Sequence, residues 1–93
     1  MTINGHGDCV AYVKSLGIPM IVLGGGGYTI ANVARCWVNE TAICLDKTLP
    51  DDIPLNDYYT SYGPFYKLYF EPDPRVENKN SKEMLQQVMT HVL

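Results

Sequence analysis

The residues with the clearest capacity for chemistry are Gly24 to Gly27 and Tyr28, four consecutive glycines followed by a phenol. The glycines strip every Cβ from one turn and permit positive φ there. A fold accepts that conformational cost where its backbone must pass very close to something. Tyr28 stands at the lip of the turn. A tyrosine hydroxyl beside bare backbone can donate a hydrogen bond to a developing oxyanion. It can equally plug the turn with its ring, and the residue types leave both readings open. Strand–glycine–helix is also the architecture of phosphate cradles. Here no window reads GxGxxG, because Thr29 and Ile30 fall where the third glycine belongs, and GxxxxGK[ST] is absent.

Other chemistry is weaker. His6 and Cys9 are spaced H-x-x-C with Asp8 between them, but no second cluster supplies the remaining ligands of a zinc site. The expectation is therefore no metal held by this chain, with His6 a helix-start or surface histidine and His91 a cation near a helix end. Cys9, Cys36 and Cys44 lie in apolar helical context and read as core thiols. Ser15, Ser61 and Ser81 lie in no GxSxG elbow. Arg35 reads as the partner of an acidic neighbour. Tyr58, Tyr59, Tyr62, Tyr66 and Tyr69 crowd one region, where packing with hydroxyls at the surface is the simplest role.

The elements that must position these residues follow from periodicity. Val10, Val13 and Leu16 predict a helix over 8–16 that stops at Gly17. Residues 19–23 are apolar throughout, the pattern of a strand covered on both faces in a parallel sheet. Thr29 can cap a helix running to Cys44, with Ile30, Val33, Ala34, Trp37, Thr41 and Cys44 as a broad apolar face. Residues 49–56 read as a proline-punctuated loop. Residues 57–62 read as a helical turn broken by Gly63-Pro64, and 66–70 as a second strand ended by Pro72 and Pro74. Asn80 with Glu83 resembles a capping box, followed by an amphipathic helix carrying Leu85, Val88, Met89 and Val92. A strand buried on both faces needs strand neighbours, so the chain reads as part of a larger α/β domain.

Composition sets outer bounds. The chain has 93 residues, 46% of them hydrophobic and 18% charged, with a net charge of −3. That size suits one domain at most, and the negative charge argues against direct nucleic-acid or acidic-membrane binding. Three cysteines without a CxxC spacing suit a reduced compartment. There is no run of about 18 apolar residues of the kind that spans a membrane. The N-terminus lacks the basic start and apolar core of a signal peptide. Nucleus and cytosol both remain compatible.

The segment from Leu23 through the four glycines to Tyr28 and Thr29, continuing as Ile30-Ala31-Asn32-Val33-Ala34-Arg35-Cys36-Trp37, closely resembles the class I zinc-dependent histone deacetylases. The resemblance begins near Gly5-His6, Cys9 and Val13-Lys14. It runs on through Glu40-Thr41, Ile53-Pro54, Asn56-Asp57-Tyr58 and Tyr62-Gly63-Pro64, and fades at Glu77-Asn78-Lys79-Asn80. It implies an α/β fold, with residues 1–93 the C-terminal part of a three-layer α/β/α deacetylase domain with a mainly parallel sheet. It implies hydrolysis of acetyl-lysine by the complete enzyme. There, Zn2+ held by two aspartates and a histidine activates water, and paired histidines move protons. By motif, Tyr28 would be the catalytic residue that bonds the acetyl oxygen, and Gly25, Gly26 and Gly27 would line the substrate tunnel.

The ligands and paired histidines of that family match positions before Met1, and the resemblance gives His6 no part in replacing them. It thus implies a segment that is inactive and metal-free alone, whether fragment, truncated product or isoform. The implied partners are acetyl-lysine proteins such as histone tails, the remainder of the domain and corepressors, in the nucleus with the cytoplasm also compatible. The alternative is a non-catalytic interaction or regulatory module. Two departures stand out. Ala31 replaces an inositol-phosphate-binding arginine, which resembles the stand-alone branch of the family (the deacetylase 8 type), as does the Met1-Thr2 opening. Phe65 replaces the aspartate that usually follows Gly-Pro.

Overall fold

Helix α1 spans Ile3–Ser15 and begins earlier than periodicity suggests, because Thr2 is its N-cap. The Thr2 hydroxyl accepts a 3.0 Å hydrogen bond from the Gly5 backbone N–H, satisfying one donor of the open first turn. Gly5 and Gly7 are weak helix formers, which hides this first turn from a propensity reading. Leu16 is the C-cap, and Gly17 follows at φ +69°, the left-handed position that ends many helices. The computed structural model describes residues 2–70, 75 and 77–93. The expected strand stop at Pro72 and Pro74, and the Met1 match, lie outside them.

Helix α2 spans Ile30–Cys44. Thr29 is its N-cap through the backbone alone. Its carbonyl accepts from Asn32 and Val33 N–H at 2.9 and 3.0 Å, and its side chain makes no capping bond, contrary to the expected side-chain cap. The helix closes with Asp46 at φ 56° and a bond from Lys47 N–H to the Ala42 carbonyl, a Schellman-type ending built on aspartate.

The two helices pack through Gly7. A Cβ there would lie 2.6 Å from Asn39 Nδ2 and 2.8 Å from Ile43 Cδ1, so the missing side chain is what admits α2. Lys14 Nζ reinforces the far end, donating to the Ile43 carbonyl at 2.8 Å and to Asp46 Oδ1 at 2.6 Å. The face that α2 turns inward is not the expected apolar one. Arg35, Asn39, Glu40 and Ala42 are its buried residues, while Ile30 is 80% exposed and Trp37 43%. The apolar stripe is real but points away from α1.

No strand forms among the described residues. Residues 18–28 run without regular structure, and Ile21 and Leu23 are 85% and 83% exposed. The expected parallel strand at 19–23 is therefore absent here. A strand exists through its ladder partners, and the described residues offer 19–23 none. The expected second strand reduces to one antiparallel bridge, Asp52 with Lys67. It is framed by Ile53 N–H to the Tyr66 carbonyl at 2.9 Å and Leu68 N–H to the Asp51 carbonyl at 2.7 Å. The helical turn expected at 57–62 forms as a 3₁₀ turn over Tyr59–Tyr62, and Tyr59 stacks on Tyr66 at 4.2 Å. Helix α3, Lys82–Val92, is capped by Ser81 and not by Asn80: the Ser81 hydroxyl accepts from Met84 N–H at 3.1 Å. Its apolar residues Leu85, Val88 and Met89 are exposed. No described helix is long and apolar enough to cross a membrane.

The buried apolar residues among those described are Ile3, Ala42 and Leu68. With so small a core, the α1–α2 contact should dominate stability. Replacing Gly7 with valine forces β-branched bulk onto Asn39 and Ile43, at a cost of roughly 1–3 kcal/mol for overpacking. The expected result is a lower thermal midpoint by circular dichroism. An unchanged midpoint would remove Gly7 as the contact point.

Candidate functional site

The glycine turn joins the apolar run to α2. Gly26 and Gly27 adopt φ +64° and +79°, where a side chain is strained, whereas Gly24 and Gly25 do not occupy that region. The glycines also differ in their surroundings. A Cβ on Gly24 would meet the Trp37 ring at 2.9 Å, and one on Gly27 would meet Val33 Cγ2 at 2.7 Å. A Cβ on Gly25 or Gly26 would meet nothing within 4 Å, so their bare faces open outward. The turn thus rests on α2 through Gly24 and Gly27 and presents Gly25 and Gly26 to whatever lies above. Tyr28 is 92% exposed. The structure brings Tyr28 into sequence with the glycines but surrounds it with no plugging contact.

Beneath Gly24, Val22, Leu23, Trp37, Thr41 and Cys44 line an open cleft of about 360 Å3. A second, almost wholly apolar groove of about 470 Å3 runs along the outer face of α2, past Ala34, Trp37, Val38, Leu45 and Leu49. The expected apolar face of α2 is therefore the wall of two clefts.

Arg35 is held differently from expectation. In place of an acidic partner, its Nη2 donates to the Tyr62 carbonyl at 2.9 Å, and its guanidinium lies over the Tyr62 and Phe70 rings at 5.0 and 4.8 Å. Burial pushes its pKa down, and Tyr62 works against that shift. Tyr69 donates its hydroxyl to Asn39 Oδ1 at 2.8 Å. Arg35 and Asn39 thus fasten the stretch from Tyr62 to Phe70 to α2.

One cluster escaped the sequence reading. His6 Nδ1 contacts Glu40 Oε1, and Cys36 Sγ donates to the same oxygen at 3.6 Å. His6, expected as a helix-start or surface histidine, therefore meets Cys36 and Glu40 across the helix pair. The only sequence signal was Cys36-x-x-x-Glu40, one helical turn apart. Burial, then the Glu40 carboxylate, push the Cys36 thiol above its ordinary pKa. The catalytic zinc of the resemblance does not fit these residues: no group of two aspartates and a histidine converges among the described side chains.

No protein-family profile matches the chain. Individual relatives do. It is 47% identical over 93 residues, all of its length, to type-1 histone deacetylase 1 of Dictyostelium discoideum. It is 50% identical over 88 residues to histone deacetylase 1 of Homo sapiens, and 47% over 88 residues to probable histone deacetylase 1-A of Xenopus laevis. The chain belongs to the histone deacetylase family. It spans 19% of the length of the Dictyostelium deacetylase and 18% of the human one, so it corresponds to a segment of each. The identity extends along the chain and is not confined to the glycine motif.

Two expectations follow from this geometry. Gly27→Ala should lower the unfolding free energy read from urea denaturation by roughly 1–2 kcal/mol from the left-handed backbone alone. Gly25→Ala should stay within about 0.5 kcal/mol of the parent. Equal losses at both positions would refute the division of the turn. Separately, Cys36 should alkylate slowly at mildly alkaline pH, because less of it is thiolate, and Glu40→Gln should accelerate it. No acceleration on mass-spectrometric timing of the Cys36 peptide would remove the carboxylate as a cause.

Proposed function

We propose that this deacetylase segment, as residues 1–93 of a three-layer α/β/α domain, supplies the glycine-rich wall and the oxyanion-binding tyrosine of an acetyl-lysine pocket. The observation that supports the reading most directly is the arrangement of the turn. Gly24 and Gly27 are anchored on α2, while a side chain on Gly25 or Gly26 would meet only open space and Tyr28 is exposed. An acetylated lysine side chain needs a narrow, bare-walled passage, and glycines supply a wall without side chains. As water adds to the acetamide carbonyl, its oxygen gains negative charge, and the Tyr28 hydroxyl donates a hydrogen bond to that oxygen. A donor that strengthens its bond only as charge develops lowers the barrier without tightening substrate binding.

In this reading the zinc and the proton-transferring histidines belong to the remainder of the domain, and no step of their chemistry is assigned to the chain itself. Histone tails and other acetyl-lysine proteins are the substrates of the complete enzyme, corepressors its partners, and transcriptional repression in the nucleus its setting. Ala31, in place of an arginine, favours independence from inositol phosphate. The exposed run at 18–23 and the grooves of α2 support docking onto the rest of the domain, where 19–23 would gain its strand partners in a parallel sheet. The same exposed surfaces support a second reading, a non-catalytic module that binds a deacetylase or its partners through an unpaired edge.

The 93-residue chain should release no acetate from an acetyl-lysine peptide with added Zn2+. Chelator-sensitive turnover by the chain alone would overturn the division of labour. In a complete domain carrying this segment, Tyr28→Phe should lower kcat by roughly 10²–10³, the loss of one oxyanion donor, with little change in KM. An unchanged kcat would remove Tyr28 from the reaction and favour the module reading.

A further inference from the structure

We propose that His6, Cys36 and Glu40 form a binding site for one zinc-class divalent cation, bridging α1 and α2. One ligand atom from each residue, an imidazole nitrogen, a sulfur and a carboxylate oxygen, lies within 4.8 Å of the other two. Cys36 and Glu40 stand one turn apart on the same face of α2, and His6 reaches them from α1. Nitrogen, sulfur and carboxylate oxygen form a borderline-soft donor set, suited to Zn2+ or Co2+ and unsuited to Ca2+ or Mg2+, which prefer all-oxygen shells.

The geometry is close to what a tetrahedral ion needs. Bond lengths of about 2.0–2.3 Å place tetrahedral ligand atoms roughly 3.3–3.8 Å apart. Cys36 Sγ and Glu40 Oε1 already stand at 3.6 Å. His6 must draw back slightly from Glu40 and toward Cys36, which is open to it because its side chain is 51% exposed while that of Glu40 is 9% exposed. The solvent side at His6 leaves the fourth position to water.

The charges balance. As the metal enters, the proton shared between His6 Nδ1 and Glu40 leaves to solvent, and His6 keeps its Nε2 proton and offers the Nδ1 lone pair. The Cys36 thiol loses its proton to solvent as the sulfur–metal bond forms. One thiolate and one carboxylate then neutralise the dication, in a place where burial of either anion alone is unfavourable. The site would also serve the fold. The buried apolar residues described are only Ile3, Ala42 and Leu68, and a metal staple is a general way to hold helices that share so small a core.

The test is titration of the reduced 93-residue chain with Co2+. The expected result is one Co2+ per chain, with a thiolate-to-cobalt charge-transfer band and tetrahedral d–d bands that Zn2+ displaces. Cys36→Ser should abolish the charge-transfer band, and Cys9→Ser and Cys44→Ser should keep it. His6→Ala and Glu40→Gln should each weaken binding. A chain with intact helical circular dichroism that shows no band at millimolar Co2+ overturns the proposal, as does a band that survives Cys36→Ser. Should Cys36→Ser fail to fold, the parent chain still decides. Zn2+ must protect Cys36 from alkylation more than Cys9, and equal labelling with and without Zn2+ overturns the site.

Discussion

The close approach of α1 to α2 at Gly7 is the contact on which the remaining geometry depends. A side chain there would collide with Asn39 and Ile43, so the glycine sets how near the helices come. That nearness brings His6 to Glu40 and Lys14 to the end of α2. It also fixes the rotation of α2 about its axis. With Asn39 and Glu40 turned toward α1, Trp37 and Val33 must lie on the side where the glycine turn comes down, and they do. A helix-breaking residue thus supports a helix pair, because close packing outweighs the roughly 0.5–1 kcal/mol that glycine costs in a helix relative to alanine.

The polar inner face of α2 shows how this segment divides its surface. Arg35, Asn39 and Glu40 each find a partner within the chain: the Tyr62 carbonyl, the Tyr69 hydroxyl and the His6 ring. Buried polar groups are costly unless bonded, so these pairings select one arrangement of helices and loops. Arg35 Nε is a buried atom with no described partner, and the two flanking aromatic rings offset only part of its lost hydration. Leu23, Trp37 and Leu45, by contrast, are exposed and line one cleft together with Val22. Exposed apolar surface of this kind marks an interface.

The glycine turn is assembled on the same plan. Its two ends are seated on α2 side chains and its middle is left bare. Contact at the ends and openness in the middle suit the substrate wall proposed above, since a mobile wall would neither hold a narrow passage nor place a hydroxyl accurately. Tyr28 follows Gly27, whose φ is 79°, and precedes the helix cap at Thr29, so its backbone is constrained on both sides while its ring remains exposed.

The sequence by itself determined what is local. The presence of three helices, the stops at Gly17 and after Cys44, the turn at Gly24–Gly27 and the family motif around Tyr28 all rest on residues within a few positions of one another. Errors of the same local kind, a helix start moved by Thr2 or a cap moved from Asn80 to Ser81, come from competing short-range signals. Tertiary structure decided the rest. An amphipathic period shows that α2 has two faces, but not that the polar one would turn inward, because that depends on Gly7 lying a full helix away. The meeting of His6 with Glu40 spans 34 positions, beyond the reach of any spacing rule. The strand at 19–23 marks the opposite limit. Its residues carry the pattern of a buried strand, yet a strand is made by hydrogen bonds to neighbours, and pattern without neighbours leaves an exposed, unpaired chain.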